Sequence, residues 1–328
     1  MPFTVQMFTE IVAYIAWIAA AFAVLFNGKL AYLVRTASPD GFGSYTSLMY
    51  ANACNLIAFS LLHAFTQPTI SIEKSVVYVF AARNYLKWPK IGMRLLLALY
   101  GVSYCMSLVL CAVTFYYRYN RICRKNHDKF TGRSRIAFWY TLVATIGLYW
   151  GFCIFFLAAE TSAVDDIIRA PLAATYGCDL ANVTYVAANY VQTDTSTGVT
   201  MNVRSVLMGV SFLTIIGTSM SVVGWCVWQI ARTTKTFKDN MYFKEIERQL
   251  FHAQCVQMAI PFMLVFIPVA AVLLLPLFDL NCHVIFSVVS ILVLLYPCID
   301  PITVMLFVSH YREKIFGKRK SDEHSGNP

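Results

Sequence analysis

The stretch Val284-Ile-Phe-Ser-Val-Val-Ser-Ile-Leu-Val-Leu-Leu-Tyr-Pro-Cys-Ile-Asp-Pro-Ile-Thr-Val-Met-Leu-Phe-Val308, followed by Ser309-His310-Tyr311-Arg312, decides how the chain is read. It is long enough to cross the roughly 30 Å hydrocarbon core of a bilayer. Yet it carries a carboxylate, Asp300, between the helix-breaking residues Pro297 and Pro301. A charge at membrane depth is costly, and a proline there frees a backbone carbonyl. Both are tolerated when the segment bends and turns its polar groups into a seam inside a helix bundle.

Composition says how many such helices there are. Of 328 residues, 58% are hydrophobic and 13% charged, and the mean hydropathy is +0.60, which excludes a soluble globular chain. Apolar runs fall at roughly 11–34, 44–66, 91–117, 136–157, 205–230, 250–275 and 284–308. They predict an all-α membrane protein, a seven-transmembrane helix bundle with a receptor-sized domain over 1–310 and a short basic tail over 311–328. The net charge of +9 sits in short runs beside the spans, where membrane topology places it, so no nucleic-acid partner is expected and the lipid bilayer is.

The charge pattern orients the bundle. Between the third and fourth spans lie Arg118, Arg121, Arg124, Lys125, Lys129, Arg133 and Arg135 against the single acid Asp128. The segment 158–204 is opposite in sign, with Glu160, Asp165, Asp166, Asp179 and Asp194 against Arg169 and Arg204. The N-terminus is therefore expected to be extracellular and the C-terminus cytoplasmic. Lys74, Arg83, Lys87 and Lys90 in the 67–90 connection argue the other way and are outvoted. Asn182-Val183-Thr184 is a glycosylation acceptor pattern on the expected outer side. Cys178 and Cys282 both fall on that side and are candidates for a disulfide. The other cysteines show no C-x-x-C or Cys/His spacing, so no metal site is expected. No basic residue precedes the first apolar run, which is expected to act as its own insertion signal.

Polar residues inside the spans mark candidate sites. Tyr100, Ser103, Tyr104 and Ser107 recur at helical spacing on one face of the third span, a candidate ligand-binding wall. His63 and His283, at the outer ends of the second and seventh spans, are further ligand-contact candidates. Asn52, Asn55 and Ser60 form a polar stripe on the second span, and Asn27-Gly28 interrupts the first, as a packing contact or a signalling element. Pro261 and Pro268, two turns apart in the sixth span, predict a kink that is either static or a moving part.

No catalytic set or cofactor fingerprint accompanies these features: the chain lacks H-E-x-x-H, G-x-S-x-G, a P-loop and a dinucleotide motif, so no enzyme and no cofactor are expected. One intramembrane carboxylate cannot make an aspartyl dyad. No lysine lies between Val284 and Val308 to form a retinal Schiff base. A ligand-gated channel or transporter is the alternative, disfavoured by the sparse intramembrane charge and the lack of an internal repeat. The remaining reading is a receptor.

The chain also resembles the nematode seven-transmembrane chemoreceptors of the Str superfamily. The resemblance lies in Gly43-Ser-Tyr-Thr-Ser-Leu-Met49, Phe115-Tyr-Tyr-Arg-Tyr119, Gln249-Leu-Phe251, Gln257-Met-Ala-Ile-Pro261, Ile267-Pro268 and Tyr296-Pro-Cys-Ile-Asp-Pro301 with Tyr311-Arg312. It implies a small-molecule, odorant-like ligand, coupling to a heterotrimeric G protein, and residence in the plasma membrane of sensory cilia. It also implies switch roles for Tyr117, Arg118, Tyr119, Pro261, Pro268, Pro297, Asp300 and Pro301. Tyr117-Arg118-Tyr119 stands where rhodopsin-like receptors carry Asp-Arg-Tyr, and Asp300-Pro301 where they carry Asn-Pro. Two departures are Val304, in place of the tyrosine three residues after that proline, and the absence of a cysteine near the outer end of the third span.

Overall fold

The computed structural model describes residues 2–38, 44–81, 88–124, 133–194, 198–236, 251, 254–256, 258–259, 261–278 and 283–317. In chain order they form α1 (Pro2–Ala37), α2 (Tyr45–Thr66), β1 (Thr69–Glu73), β2 (Val76–Ala81), α3 (Lys90–Ile122), α4 (Arg133–Phe152), α5 (Ser162–Tyr176), β3 (Thr184–Asn189), β4 (Val191–Asp194), β5 (Gly198–Met201), α6 (Val203–Thr236), α7 (Ile267–Leu274), α8 (His283–Phe307) and α9 (Ser309–Phe316). Among the described residues five helices are long and apolar enough to cross a membrane, and Val293–Phe307 with His310–Phe316 makes a further candidate bent by 94°. The expected sixth span is described only in part. Its described residues include a π-helical turn, Phe262–Phe266, leading into α7.

α3 is the central post, packed against α2, α4 and α6, while α1 packs on α2 and α8. The α3–α4 seam is close because three glycines lie along it. A Cβ on Gly101 would meet Ile154, one on Gly147 would meet Met106, and one on Gly151 would fall 2.4 Å from Val102 Cγ2 and 3.4 Å from the Ala98 carbonyl. Gly147-x-x-x-Gly151 is the small-residue spacing by which membrane helices approach when no hydrophobic effect drives them together. The opposite face of α4 exposes Phe138, Leu148, Phe152 and Phe156, as a lipid-facing surface does.

Several helices outrun their apolar cores. α3 continues to Ile122 and α6 to Thr236, several residues past the hydrophobic limits read from sequence. Nothing stops them: no glycine or proline intervenes, and cations in a last turn favour the helix C-terminus. At the end of α8 the chain does turn. Val308 is extended (φ −82°, ψ 109°) and α9 leaves at that bend, with Tyr311 fully buried and its hydroxyl 2.7 Å from Ser38 Oγ.

The fold departs from the all-α expectation at one end of the bundle. β1, β2 and β3 form an antiparallel sheet, with Ile70 opposite Val79 and Val79 opposite Val186. Its two faces have different neighbours. Val77, Val186 and Ala188 join the bundle core, whereas Val76, Tyr78, Phe80 and Tyr185 pack under α5, which buries Val164, Ile168 and Leu172 at spacings of four. A sheet covered on both faces reads as a continuous apolar run, which is why Val76-Val-Tyr-Val-Phe80 shows no polar alternation. Tyr185 pins this roof by donating to Asp165 Oδ1, while its oxygen accepts from the Thr161 N–H at 3.3 Å. Burial first, and the Asp165 bond second, push its phenol far above the ordinary tyrosine range, so it remains a donor. Lys90, counted in the sequence against the orientation, donates to the Leu180 carbonyl at 3.3 Å and lies 3.9 Å from Glu160, tied to the acidic segment.

The proline pair is accommodated by a partner 270 residues away. Pro301 has no N–H to offer the carbonyl of Pro297, four residues earlier, and Asn27 Nδ2 donates to that carbonyl at 2.9 Å while also bonding Ala23 O at 2.8 Å. Asn27 is fully buried. Asn27→Leu should therefore lower stability by about 1–3 kcal/mol, the cost of an orphaned buried carbonyl. A melting curve of detergent-solubilised protein would show it, and an unchanged curve would mean the carbonyl finds another donor.

Candidate functional site

Beneath the sheet lies a cavity of about 160 Å³. Its roof is Ile70, Val77, Val79 and Val186–Ala188, and its walls come from α2, α3, α4, α6, α7 and α8. The lining is almost wholly apolar. Trp150 stacks on Phe212 at 3.8 Å, Tyr104 approaches Trp150 at 5.5 Å and Phe266 at 6.0 Å, and Phe59 stacks on Tyr100 at 4.8 Å. Two polar groups on the rim engage each other: His63 Nδ1 is 3.2 Å from the Tyr100 hydroxyl.

The sequence-predicted wall divides in two. Tyr100, Tyr104 and His63 line this cavity together. Ser103 and Ser107 instead clasp α2: Asn55 Nδ2 donates to Ser103 O (3.0 Å) and Ser107 Oγ (2.8 Å), and Ser103 Oγ donates back to Asn55 Oδ1 (3.0 Å). His283 opens α8, but its side chain lies outside the described residues, as does Cys282. Cys178 Sγ sits 3.4 Å from the Tyr176 carbonyl. Asn182 is exposed in a short 3-10 turn beside the sheet. The sequence reading did not find Trp150, Phe212, Val265, Val269 or Val272 as lining residues. In spans that are apolar all round, periodicity does not separate a cavity-facing side from a lipid-facing one.

A second, smaller cavity of about 50 Å³ lies deeper, and its lining mixes the polar groups of Asn52, Ser107, Thr114, Gln254, Tyr296 and Asp300 with an apolar remainder that includes Leu48, Phe115, Pro261 and Val304; we call it the polar cavity for the groups the upper one lacks. Asn52 Nδ2 donates to Asp300 Oδ2 at 3.2 Å, which places the carboxylate in the seam its flanking prolines predicted. Gln254 is 4% exposed, and neither end of its amide has a hydrogen-bond partner among the described residues. The π-helical turn Phe262–Phe266 lies between the two cavities. Val265 and Val269 face the upper one and Pro261 and Met258 the lower, and Pro268 sits in the first turn of α7 directly after it.

At the end of α3 away from the sheet, Arg118 is 2% exposed and its guanidinium lies 4.2 Å above the Tyr45 ring. Tyr45 in turn stacks on Tyr117 at 6.0 Å, and Tyr119 meets Trp225 of α6 at 4.5 Å. Arg121 and Arg124 donate to the Tyr117 and Tyr119 hydroxyls at 3.1 Å and 3.0 Å. One helix thus lines the apolar cavity with Leu97, Tyr100, Gly101 and Tyr104, lines the polar cavity with Ser107, Cys111, Thr114 and Phe115, and carries a buried cation in its last turns.

The class follows from comparison of the fold. The crystal structure of squid rhodopsin superposes with a TM-score of 0.61 over 93% of this chain and 83% of that one, at 12% identity, so the two share the rhodopsin-like helix-bundle fold. The chain belongs to the serpentine-type 7TM GPCR chemoreceptor Str family, whose model matches residues 12–316. It is a multi-pass membrane receptor of the G-protein-coupled class and not a member of an enzyme family. Its relatives include serpentine receptor class r-10 of Caenorhabditis elegans, 24% identical over 309 residues, covering 91% of this chain and 89% of the relative. The r-10 receptor of Caenorhabditis briggsae is 23% identical over 295 residues, covering 88% and 85%. The G-protein coupled receptor str-33 of Caenorhabditis elegans is 26% identical over 307 residues, covering 91% and 88%.

Proposed function

We propose that the protein is an odorant-type chemoreceptor whose ligand occupies the apolar cavity under the sheet and switches the opposite end of the bundle toward a heterotrimeric G protein. The observation that carries this reading is the path of α3, with the apolar cavity at one end and Arg118 at the other. The sheet end is extracellular and carries the Asn182 glycan, with Cys178 a free thiol there; the Arg118 end is cytoplasmic. The receptor sits in the plasma membrane of a sensory cilium.

The switch works through the sixth span. Its π-helical turn and two prolines leave backbone carbonyls without their ordinary donors, which lowers the cost of changing its bend. A ligand that packs against Val265, Val269 and Val272 better in one bend than in another shifts the population by that difference in affinity and no more. Asp300, held by Asn52, lines the polar cavity between the two ends. Asp300→Asn should therefore leave ligand affinity within about threefold and change the exchange response about fivefold or more, the scale of a coupling energy. Loss of binding in a well-expressed Asp300→Asn receptor would contradict that role.

Heterologous expression with a nucleotide-exchange readout tests the function itself. At least one small neutral odorant should raise exchange by the G protein. Ligand-evoked current that persists without G proteins would instead favour a channel.

A further inference from the structure

We infer that the ligand of the apolar cavity is a compact, uncharged molecule bearing one hydrogen-bond acceptor, and that Tyr104 is the residue that selects it. The inference rests on the reading of that cavity as the ligand site and specifies its chemistry.

Tyr104 is 7% exposed, lines the cavity, and its hydroxyl has no hydrogen-bond partner among the described residues. Its ring is fixed between Trp150 and Phe266, which holds the hydroxyl in place. Of the other polar groups in the lining, the Tyr100 hydroxyl and His63 Nδ1 engage each other. A buried phenol offers one O–H donor, and a donor left unmade in an apolar chamber is costly. A molecule that brings an acceptor to it recovers that cost; one without an acceptor does not. Among the described residues the lining contains no Lys, Arg, Asp or Glu, so a carboxylate or an ammonium group would meet no counter-charge from them. The size is bounded as well, since apolar voids of roughly 150 Å³ admit a benzene-sized molecule. Shape and the missing charge make the site permissive for small apolar molecules, and Tyr104 makes it selective among them. Discrimination between a ketone and the matching hydrocarbon should be about 10- to 100-fold, the range expected when one buried hydrogen bond is made or left unmade.

The test is a binding measurement on the full-length receptor in lipid nanodiscs, read by thermal stabilisation and independent of any G protein. The probes are cyclohexanone, methylenecyclohexane (the same shape with CH2 in place of oxygen), cyclohexanecarboxylate and cyclohexylammonium. Cyclohexanone should stabilise the receptor at about 10- to 100-fold lower concentration than methylenecyclohexane, and the two charged probes should not stabilise it. Tyr104→Phe should abolish the ketone's advantage while leaving the response to methylenecyclohexane unchanged, which also shows that the variant is folded. A measurement that needs no variant is the carbonyl stretch of bound cyclohexanone, which should lie below its value in hexane. Equal potency of ketone and hydrocarbon, a ketone advantage that survives Tyr104→Phe, an unshifted carbonyl stretch, stabilisation by a charged probe, or no stabilisation by either neutral probe would overturn the inference. Ketone-selective binding without nucleotide exchange under any ligand would sustain it and count against the receptor function proposed above.

Discussion

Arg118→Ala is expected to cut agonist-stimulated nucleotide exchange about 30-fold or more while ligand binding and surface level stay near wild type. The magnitude is that of removing a charged group from a desolvated protein contact. Arg118 suits that role because it is nearly buried, yet it is held by the face of Tyr45 and sits at the end of the helix that lines both cavities. A flat guanidinium can leave one aromatic face and present several donors to a new partner. Arg118→Lys should therefore recover only part of the response, since an ammonium is a point charge without the planar fork. Radioligand or thermal-shift binding beside an exchange assay separates the two effects. Exchange that survives Arg118→Ala would place the coupling contact elsewhere, and loss of binding would make Arg118 a structural residue.

The second large effect is on folding. Gly151→Leu should reduce the melting free energy by about 1–3 kcal/mol, or prevent surface expression, because α3 and α4 cannot separate without opening the cavity wall at Trp150. The first added carbon would meet Val102 Cγ2 at 2.4 Å, a methyl on a short β-branched side chain with little room to turn, and the rest of a leucine would have to pass it. Two controls define the claim. Gly147→Ala adds one carbon that meets Met106 Cγ at 2.7 Å, part of a flexible side chain that yields, and the Val102 carbonyl at an ordinary 3.4 Å, and Gly217→Leu places its first added carbon with nothing within 4 Å, so both should express near wild type. A fully stable Gly151→Leu receptor would mean that the seam is looser than its geometry.

How much of this could be read from the chain differs from place to place, for physical reasons. The seventh span announced itself: two prolines around a carboxylate in an apolar run admit few interpretations, and Asp300 does face a polar seam with Asn52. Its other support did not announce itself. Asn27 reads equally well as a packing contact, and only the fold brings it to the carbonyl that Pro301 leaves unpaired. The polar stripe on the third span was visible, but stripes on two helices can satisfy each other. Asn55 takes Ser103 and Ser107 out of the ligand wall, while Tyr100 and Tyr104 on the same face remain in it. The sheet was masked by composition. Lys74, Arg83, Lys87 and Lys90 drew the reading of the 67–90 connection to its charge as an external loop, although Ile70 and Ile72 alternate with polar residues and Val76–Phe80 is a buried strand in miniature. The Gly147-x-x-x-Gly151 spacing was present in the sequence and would have identified the α3–α4 contact.

The central claim, that occupancy of the cavity under the sheet drives exchange at the far end, is tested most directly by filling the cavity from its roof. Ala188 lies on β3 among the lining residues, and a tryptophan there projects bulk into the chamber while lying at the opposite end of the bundle from Arg118. An odorant panel would be applied to wild type and to Ala188→Trp at matched surface levels, with nucleotide exchange as the readout. The account predicts that at least one small neutral odorant activates the wild type and that Ala188→Trp does not respond to it. An undiminished response in Ala188→Trp, or a surface-expressed wild type silent to the whole panel, would contradict it.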